Sequence, residues 1–318
     1  MAVRADVSAL ETILSNGHYP VLELVEEIDL SDHTIDDESP YFLRTNGELL
    51  AAVVGEGGGI ILIDKEHNVT MPINRTDAED DPVGEYDIGE SAIYLFEQHS
   101  DVIEAYDFAG NRKASETVNE GCIEEIKAEY DMVHILAEQN RKKSLVTYRF
   151  DENHFRWIRS LEVGGQFDVE EGRVWVVDKD NKNRINRYSW QSSTPEHTID
   201  IVLKGSKIAS TRLSLSQVIV INGVVYFTQD LTDGFYRSTG TDYNVIDSER
   251  EPNYAFGHEG NVHFGNTNGH RIYMPKNDLL LVQNNGIVFS DAVSFNDRVY
   301  SLNGSSLQVF RVNNKRLS

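Results

Sequence analysis

One pattern constrains the fold of this chain more than any other. A turn residue is followed two positions later by an aliphatic side chain and then by an aromatic or second bulky one. Gly172 precedes Val174-Trp175, Ser91 precedes Ile93-Tyr94, Asp131 precedes Val133-His134 and Gly223 precedes Val225-Tyr226. Gly260 stands ahead of Val262-His263 and Asp297 ahead of Val299-Tyr300, while Gly47 ahead of Leu49-Leu50 is a weaker match. Successive anchors lie 44, 40, 41, 51, 37 and 37 residues apart. A second motif trails the anchor. Tyr106-Asp-Phe108, Tyr148-Arg-Phe150 and Tyr188-Ser-Trp190 alternate apolar and polar, and the shorter units keep one aromatic there, Tyr236, Tyr273 or Phe310. Polar tips such as His99-Ser-Asp101, Asn181-Lys-Asn183 and Thr267-Asn-Gly269 separate the two motifs, in residues that suit tight hairpins.

Period-2 alternation is the signature of a strand, and a repeat of about 40 residues read as four strands is the signature of a propeller blade. Each unit is read as inner strand, anchor strand, third strand and outer strand. The last unit supplies only three, over 287–295, 298–302 and 307–312, because 313–318 is short and polar. Near the other end, 18–30 carries the apolar-rich run Val21-Leu22-Glu23-Leu24-Val25 and belongs to no unit. It fills the gap, because pairing the two ends of the ring removes exposed sheet edges. The expectation is an all-β, seven-bladed β-propeller of four-stranded antiparallel blades over 18–318, closed by an N-terminal strand. Lys204 to Asn222 and Thr241 to Tyr254 read as irregular, elaborated loops, where recognition tends to sit.

Residues 1–17 read differently. Val7, Leu10, Ile13 and Leu14 share one helical face, Ser8 and Glu11 make a capping box, and Gly17 is a stop. This predicts a short amphipathic helix outside the repeat, whose apolar face is the candidate partner-binding surface.

With its seven anchors and aliphatic–aromatic pairs such as Val174-Trp175 and Val225-Tyr226, the chain resembles the β-propeller superfamily over residues 18–318. It departs from the named repeat families. No Trp-Asp pair occurs, Gly164-Gly165 does not recur at the blade period, and no Ser-x-Asp-x-Gly-x-x-Trp box is present. By fold analogy, single propellers in bacteriophage tails are a home for such a chain.

Composition excludes several function classes. The formal net charge of −23 repels nucleic acid and anionic lipid. The tight basic cluster Arg141-Lys142-Lys143 falls at a hairpin tip. Cys122 is the single cysteine, which rules out an intramolecular disulfide and suits a protein made in the cytoplasm. The first residues lack the pattern of a secretion signal, and the apolar runs are too short to insert in a membrane.

The motifs that suggest chemistry fail on spacing or context. Gly55-Glu-Gly-Gly-Gly59 runs into a strand where a phosphate loop needs a helix. His258-Glu-Gly-Asn-Val-His263 has one residue too many for a zinc helix and reads as turn and strand. Asp178 to Asn183 lacks the glycine and glutamate of a calcium loop. Glu125, Asp168 and Asp291 fall on inner strands, where enzymatic propellers gather catalytic groups, but so acidic a chain puts three there by chance.

The sequence therefore points to a non-enzymatic structural or interaction protein, a propeller subunit of a larger assembly such as a virion tail, with protein partners and no cofactor or metal. The alternative is a propeller that binds or hydrolyses a carbohydrate or small molecule, with Tyr236, Tyr243 and Tyr254 as its aromatic platform.

Overall fold

The computed structural model describes residues 18–34, 40–55, 58–74, 83–201, 215–229, 232–238, 243–247, 252–266, 269–276, 278–283 and 291–316. Among them the strands form seven four-stranded sheets, and the protein is a seven-bladed β-propeller. Blade one is Tyr41–Thr45, Leu50–Val54, Gly59–Ile63 and Val69–Ile73, and blade two is Val83–Ile88, Ile93–Glu97, Val102–Tyr106 and Arg112–Thr117. Blade three is Cys122–Glu129, Met132–Gln139, Lys142–Asp151 and His154–Val163, and blade four is Phe167–Glu170, Arg173–Val177, Arg184–Ser189 and His197–Asp200. Blade five is Leu215–Ile221, Val224–Gln229, Thr232–Ser238 and Tyr243–Asp247; blade six is Tyr254–His258, Asn261–Asn266, Gly269–Met274 and Leu279–Gln283. Blade seven joins Ala292–Phe295, Arg298–Asn303 and Ser306–Arg316 to the early strand His18–Asp29.

The chain divides into two compact units, one of residues 1–55, 63–69 and 251–318, the other of 56–62 and 70–250. In the first unit, the early strand completes blade seven in antiparallel register, with Leu22 opposite Val312, Leu24 opposite Phe310 and Ile28 opposite Leu307. The pairing extends further than expected: the third strand continues through Asn313 and Asn314 to Arg316, which faces His18. Leu22 packs with Tyr254, Ala292, Val299 and Phe310, so the closing strand contributes to the core as well as covering an edge.

In the second unit, blades two to five bury the anchor pairs that the repeat singles out. Tyr94 packs with Val133, Val146 and Phe150, and Trp175 and Phe227 share a cluster with Leu215, Val218 and Val225. Tyr226 is fully buried and stacks on Phe235.

The turn between inner and anchor strands explains the anchor residue itself. Glu171-Gly172, Asn222-Gly223, Glu259-Gly260 and Asn296-Asp297 all adopt positive φ at both positions, the conformation of the tight hairpins favoured by strand twist. The anchor position suits Gly or Asp because L side chains resist that conformation.

Three sequence expectations need comment. The helix with Val7, Leu10, Ile13 and Leu14 lies outside the described residues. The two stretches read as elaborated loops contain strands: Leu215–Ile221 is the inner strand of blade five and Tyr243–Asp247 its outer strand. The polar residues around these short strands hid their alternation. The aromatic platform is also overturned, because Tyr236 and Tyr254 are buried in their own sheets. Tyr236 stacks on Phe227 at 5.4 Å, and the Tyr254 hydroxyl meets His270 Nδ1 at 3.0 Å.

Candidate functional site

Within each unit the first strands of successive blades touch one another, which makes them the inner strands. Their carboxylates have a shared task. In the second unit, Glu85 Oε2 accepts the Ile126 N–H at 3.1 Å and Asp87 Oδ2 accepts the Ala128 N–H at 2.7 Å. Glu129 Oε2 accepts the Gly172 N–H at 2.7 Å. Asp168 Oδ2 accepts the Val220 N–H at 2.6 Å, and the two oxygens of Glu170 accept the Asn222 and Gly223 N–H groups, both at 2.6 Å. In the first unit, Asp291 Oδ2 accepts the Leu43 N–H at 2.7 Å. Each bond ties one blade to the backbone of the next. An inner strand flanked by splayed neighbours has N–H groups with no ladder partner, and a carboxylate is a strong acceptor for them.

Two of the three inner-strand acids flagged in the sequence, Asp168 and Asp291, are thus inter-blade latches. Glu125 differs. Its Oε1 lies 3.4 Å from Lys127 Nζ, which donates to Asp168 Oδ1 at 2.8 Å. Its Oε2 is buried and accepts no hydrogen bond among the described residues. Burial pushes the Glu125 carboxyl well above the usual range, Lys127 opposes this, and Glu85 and Asp168 add to it. Burial would lower Lys127, but Asp168 and Glu125 outweigh it and hold the ammonium charged.

The second unit also carries an open cleft of about 490 Å³ beside the inner-to-anchor turns of blades three and four. Its lining includes Tyr130, Met132, His134 and Trp190 together with the acids Glu129, Asp131 and Glu171. Tyr130 occupies the first turn position of blade three, at φ 57°, and the residue is 53% exposed. Trp190 lies against Gly172, where a Cβ would come 3.7 Å from its Cδ1. Asp131 is held by Arg149 Nε at 2.6 Å. Burial raises Glu129, opposed by the N–H groups of Gly172 and Glu171. His134 is buried against Thr147, and burial together with Arg159 brings its pKa down to about 3, so it is neutral at physiological pH.

The hairpin readings hold. Arg141 sits in a turn at φ 67°, and Lys143 is paired to Glu124 at 2.6 Å. At the tip of blade four, Asp178 Oδ1 caps the Asp180 and Asn181 N–H groups, both at 2.9 Å. His258 ends one strand and His263 lies in the next, so the zinc-like spacing is a cross-strand accident. Sequence spacing did not reveal that His263 Nδ1 meets His270 Nε2 at 3.1 Å within blade six. Among the described residues no group of three or more His, Cys, Asp or Glu side chains is placed to hold a metal ion, and no helix is long and apolar enough to cross a membrane.

The geometry defines a seven-bladed β-propeller with latched inner strands and an acidic, aromatic cleft at one pair of blade turns. Solved structures share that fold. A streptogramin B lyase matches with a TM-score of 0.61 at 14% identity, over 93% of this chain and 98% of the lyase. A chain of a mitotic checkpoint complex matches with a TM-score of 0.64 at 12% identity, over 91% of each chain. BamB from Moraxella catarrhalis matches with a TM-score of 0.57 at 12% identity, over 92% of this chain and all of BamB. At these identities the likeness is one of fold. No family model and no curated protein matches the sequence.

Proposed function

We propose that this chain is a non-enzymatic interaction propeller, a subunit that holds protein partners within a larger assembly. The observation that carries this reading is the use of the inner-strand acids. A hydrolytic propeller needs paired carboxylates free to act on substrate, whereas Glu85, Asp87, Asp168, Glu170 and Asp291 accept backbone N–H groups of the next blade. The neighbours span both classes, since one is a lyase and another was solved within a checkpoint complex. A place in a virion tail is a finer version of the same proposal, and the neighbours named above give it no support. The one feature that favours the hydrolytic alternative is Glu125, a buried carboxyl with a raised pKa and an unpaired oxygen, the state of a general acid.

Native-size analysis of the endogenous protein, run beside turnover assays on a panel of glycans and small molecules, separates the two. Elution well above the 36.0 kDa of the monomer, without turnover, is the expected result. A free monomer whose turnover disappears in Glu125→Gln would overturn the proposal in favour of hydrolysis.

A further inference from the structure

The cleft at blades three and four contains a side chain the fold does not require. Of the described inner-to-anchor turns that open on a positive φ, those of blades four to seven begin with Glu171, Asn222, Glu259 and Asn296; blade three begins with Tyr130. A bulky aromatic in the left-handed region is strained, and Asn or Gly is the residue such a turn favours. Burial does not repay that strain, because the residue stands 53% exposed. Strain retained without a packing return points to recognition.

The ring borders a cleft of about 490 Å³, within the size range of ligand sites. Trp190 supplies a second aromatic wall and Met132 an apolar contact. The charged groups of the lining are Glu129, Asp131 and Glu171, and its imidazole, His134, is neutral. Glu129 already accepts the Gly172 and Glu171 N–H groups, whereas Asp131 spends one oxygen on Arg149 and retains a second. Aromatic faces rimmed by carboxylates attract a cation, and a planar guanidinium stacks on such faces and pairs with carboxylates together.

We propose that the cleft between Tyr130 and Trp190 receives an arginine side chain presented by a protein partner. This rests on the interaction reading above and names the chemistry of the contact.

The test uses the full chain carrying Trp157→Phe, which removes an exposed outer-strand tryptophan. Trp175 is buried, so Trp190 becomes the responsive fluorophore. Acetyl-Gly-Arg-Gly-amide is titrated at low ionic strength, beside the same peptide with citrulline and beside tetramethylammonium. The arginine peptide is expected to change the Trp190 emission saturably, with an affinity that falls as salt is added. Citrulline should bind at least about tenfold more weakly, and Tyr130→Asn should weaken the arginine peptide about tenfold. Because Asn suits the left-handed turn, Tyr130→Asn should melt at or above the parent temperature. Equal binding of citrulline, or unchanged binding by Tyr130→Asn, would overturn the assignment. So would a lower melting temperature for Tyr130→Asn, which would make the tyrosine structural, or saturation by tetramethylammonium at lower concentration, which would make this a small-molecule site. If the arginine peptide fails while the endogenous protein still elutes as an assembly, the cleft is refuted and the interaction reading stands.

Discussion

Lys127 occupies a place that the blades on either side of it fill with aspartate. Four residues ahead of their anchors, blade two has Asp87, blade three Lys127 and blade four Asp168. The two aspartates accept a backbone N–H of the next blade, and the lysine instead reaches the Asp168 carboxylate. Asp168 therefore serves two neighbours, Lys127 of blade three and Val220 of blade five. Asp168→Ala leaves a largely shielded ammonium without its closest partner and a backbone N–H unmet, and should cost about 3 kcal/mol, measured by chemical denaturation. A variant as stable as the parent would show that the latch is not needed. Trp175→Ala and Tyr226→Ala should each cost about 3–5 kcal/mol by opening cavities in the core; loss of binding at unchanged stability would instead mark either residue as a contact. Residues of this kind were unevenly legible in the sequence. Trp175 and Tyr226 stand in a repeated pattern, and their burial follows from it. The latches repeat too, but each partner is a backbone N–H 41 to 53 residues away, or 248 for Asp291, to which no side chain in the sequence points. Tyr130 occurs once, and its meaning appears only when the backbone angle and exposure are known.

The early strand His18–Asp29 and the blade six sheet show what single elements contribute. Deleting residues 1–30 would leave Ser306–Arg316 as an open edge and remove Leu22 from its cluster, so the truncated protein should aggregate or melt markedly lower. Equal melting would refute closure by this strand. Its place was legible because the last unit lacks a fourth strand. The blade six histidines were not, since the imidazoles meet diagonally across strands. His263 stacks on Phe256 at 5.3 Å and lies tilted against His270 at 5.2 Å, His258 Nδ1 meets Ser294 Oγ at 2.8 Å, and the Nε2 atoms of His258 and His263 are buried without a partner among the described residues. Burial lowers all three pKa values, with His270 and His258 adding to the effect on His263 and Arg271 bringing His270 to about 3. Around His258, Glu259 and Asp297 oppose it. Unfolded histidine takes up a proton near pH 6.5, so below that pH the unfolded chain binds more protons than the fold. For His270, stability present above pH 6.5 is therefore lost as pH falls toward about 3, by up to about 1.4 kcal/mol per pH unit, and His258 and His263 act in the same direction. Melting temperatures between pH 7 and 4 should fall steeply, and less steeply in His263→Phe. An identical acid slope in that variant would place the acid sensitivity elsewhere.

At the scale of the whole molecule, a net charge of −23 repels itself. Ion pairs such as Arg149–Asp131 and Lys143–Glu124 are already counted in that sum and leave the excess in place. Raising NaCl from about 10 mM to about 0.5 M shortens the screening length several-fold and should raise the melting temperature, although it also weakens surface pairs. A falling temperature would mean that the pairs outweigh the repulsion. Blade seven carries a further consequence, for how the protein is made. Asn313 Nδ2 bonds the Glu23 carboxylate across 290 residues of chain. At roughly 5–20 residues per second the early strand leaves the ribosome some 15 to 60 s before its partner. Throughout that interval Leu22, Leu24 and Val25 belong to a β-prone segment with nothing to pair with. The same dozen residues hold Glu23, Glu26, Glu27 and Asp29, and charges so placed keep a waiting strand from adding to the wrong edge. The acids of this strand are therefore expected to guard the nascent chain until the last blade arrives.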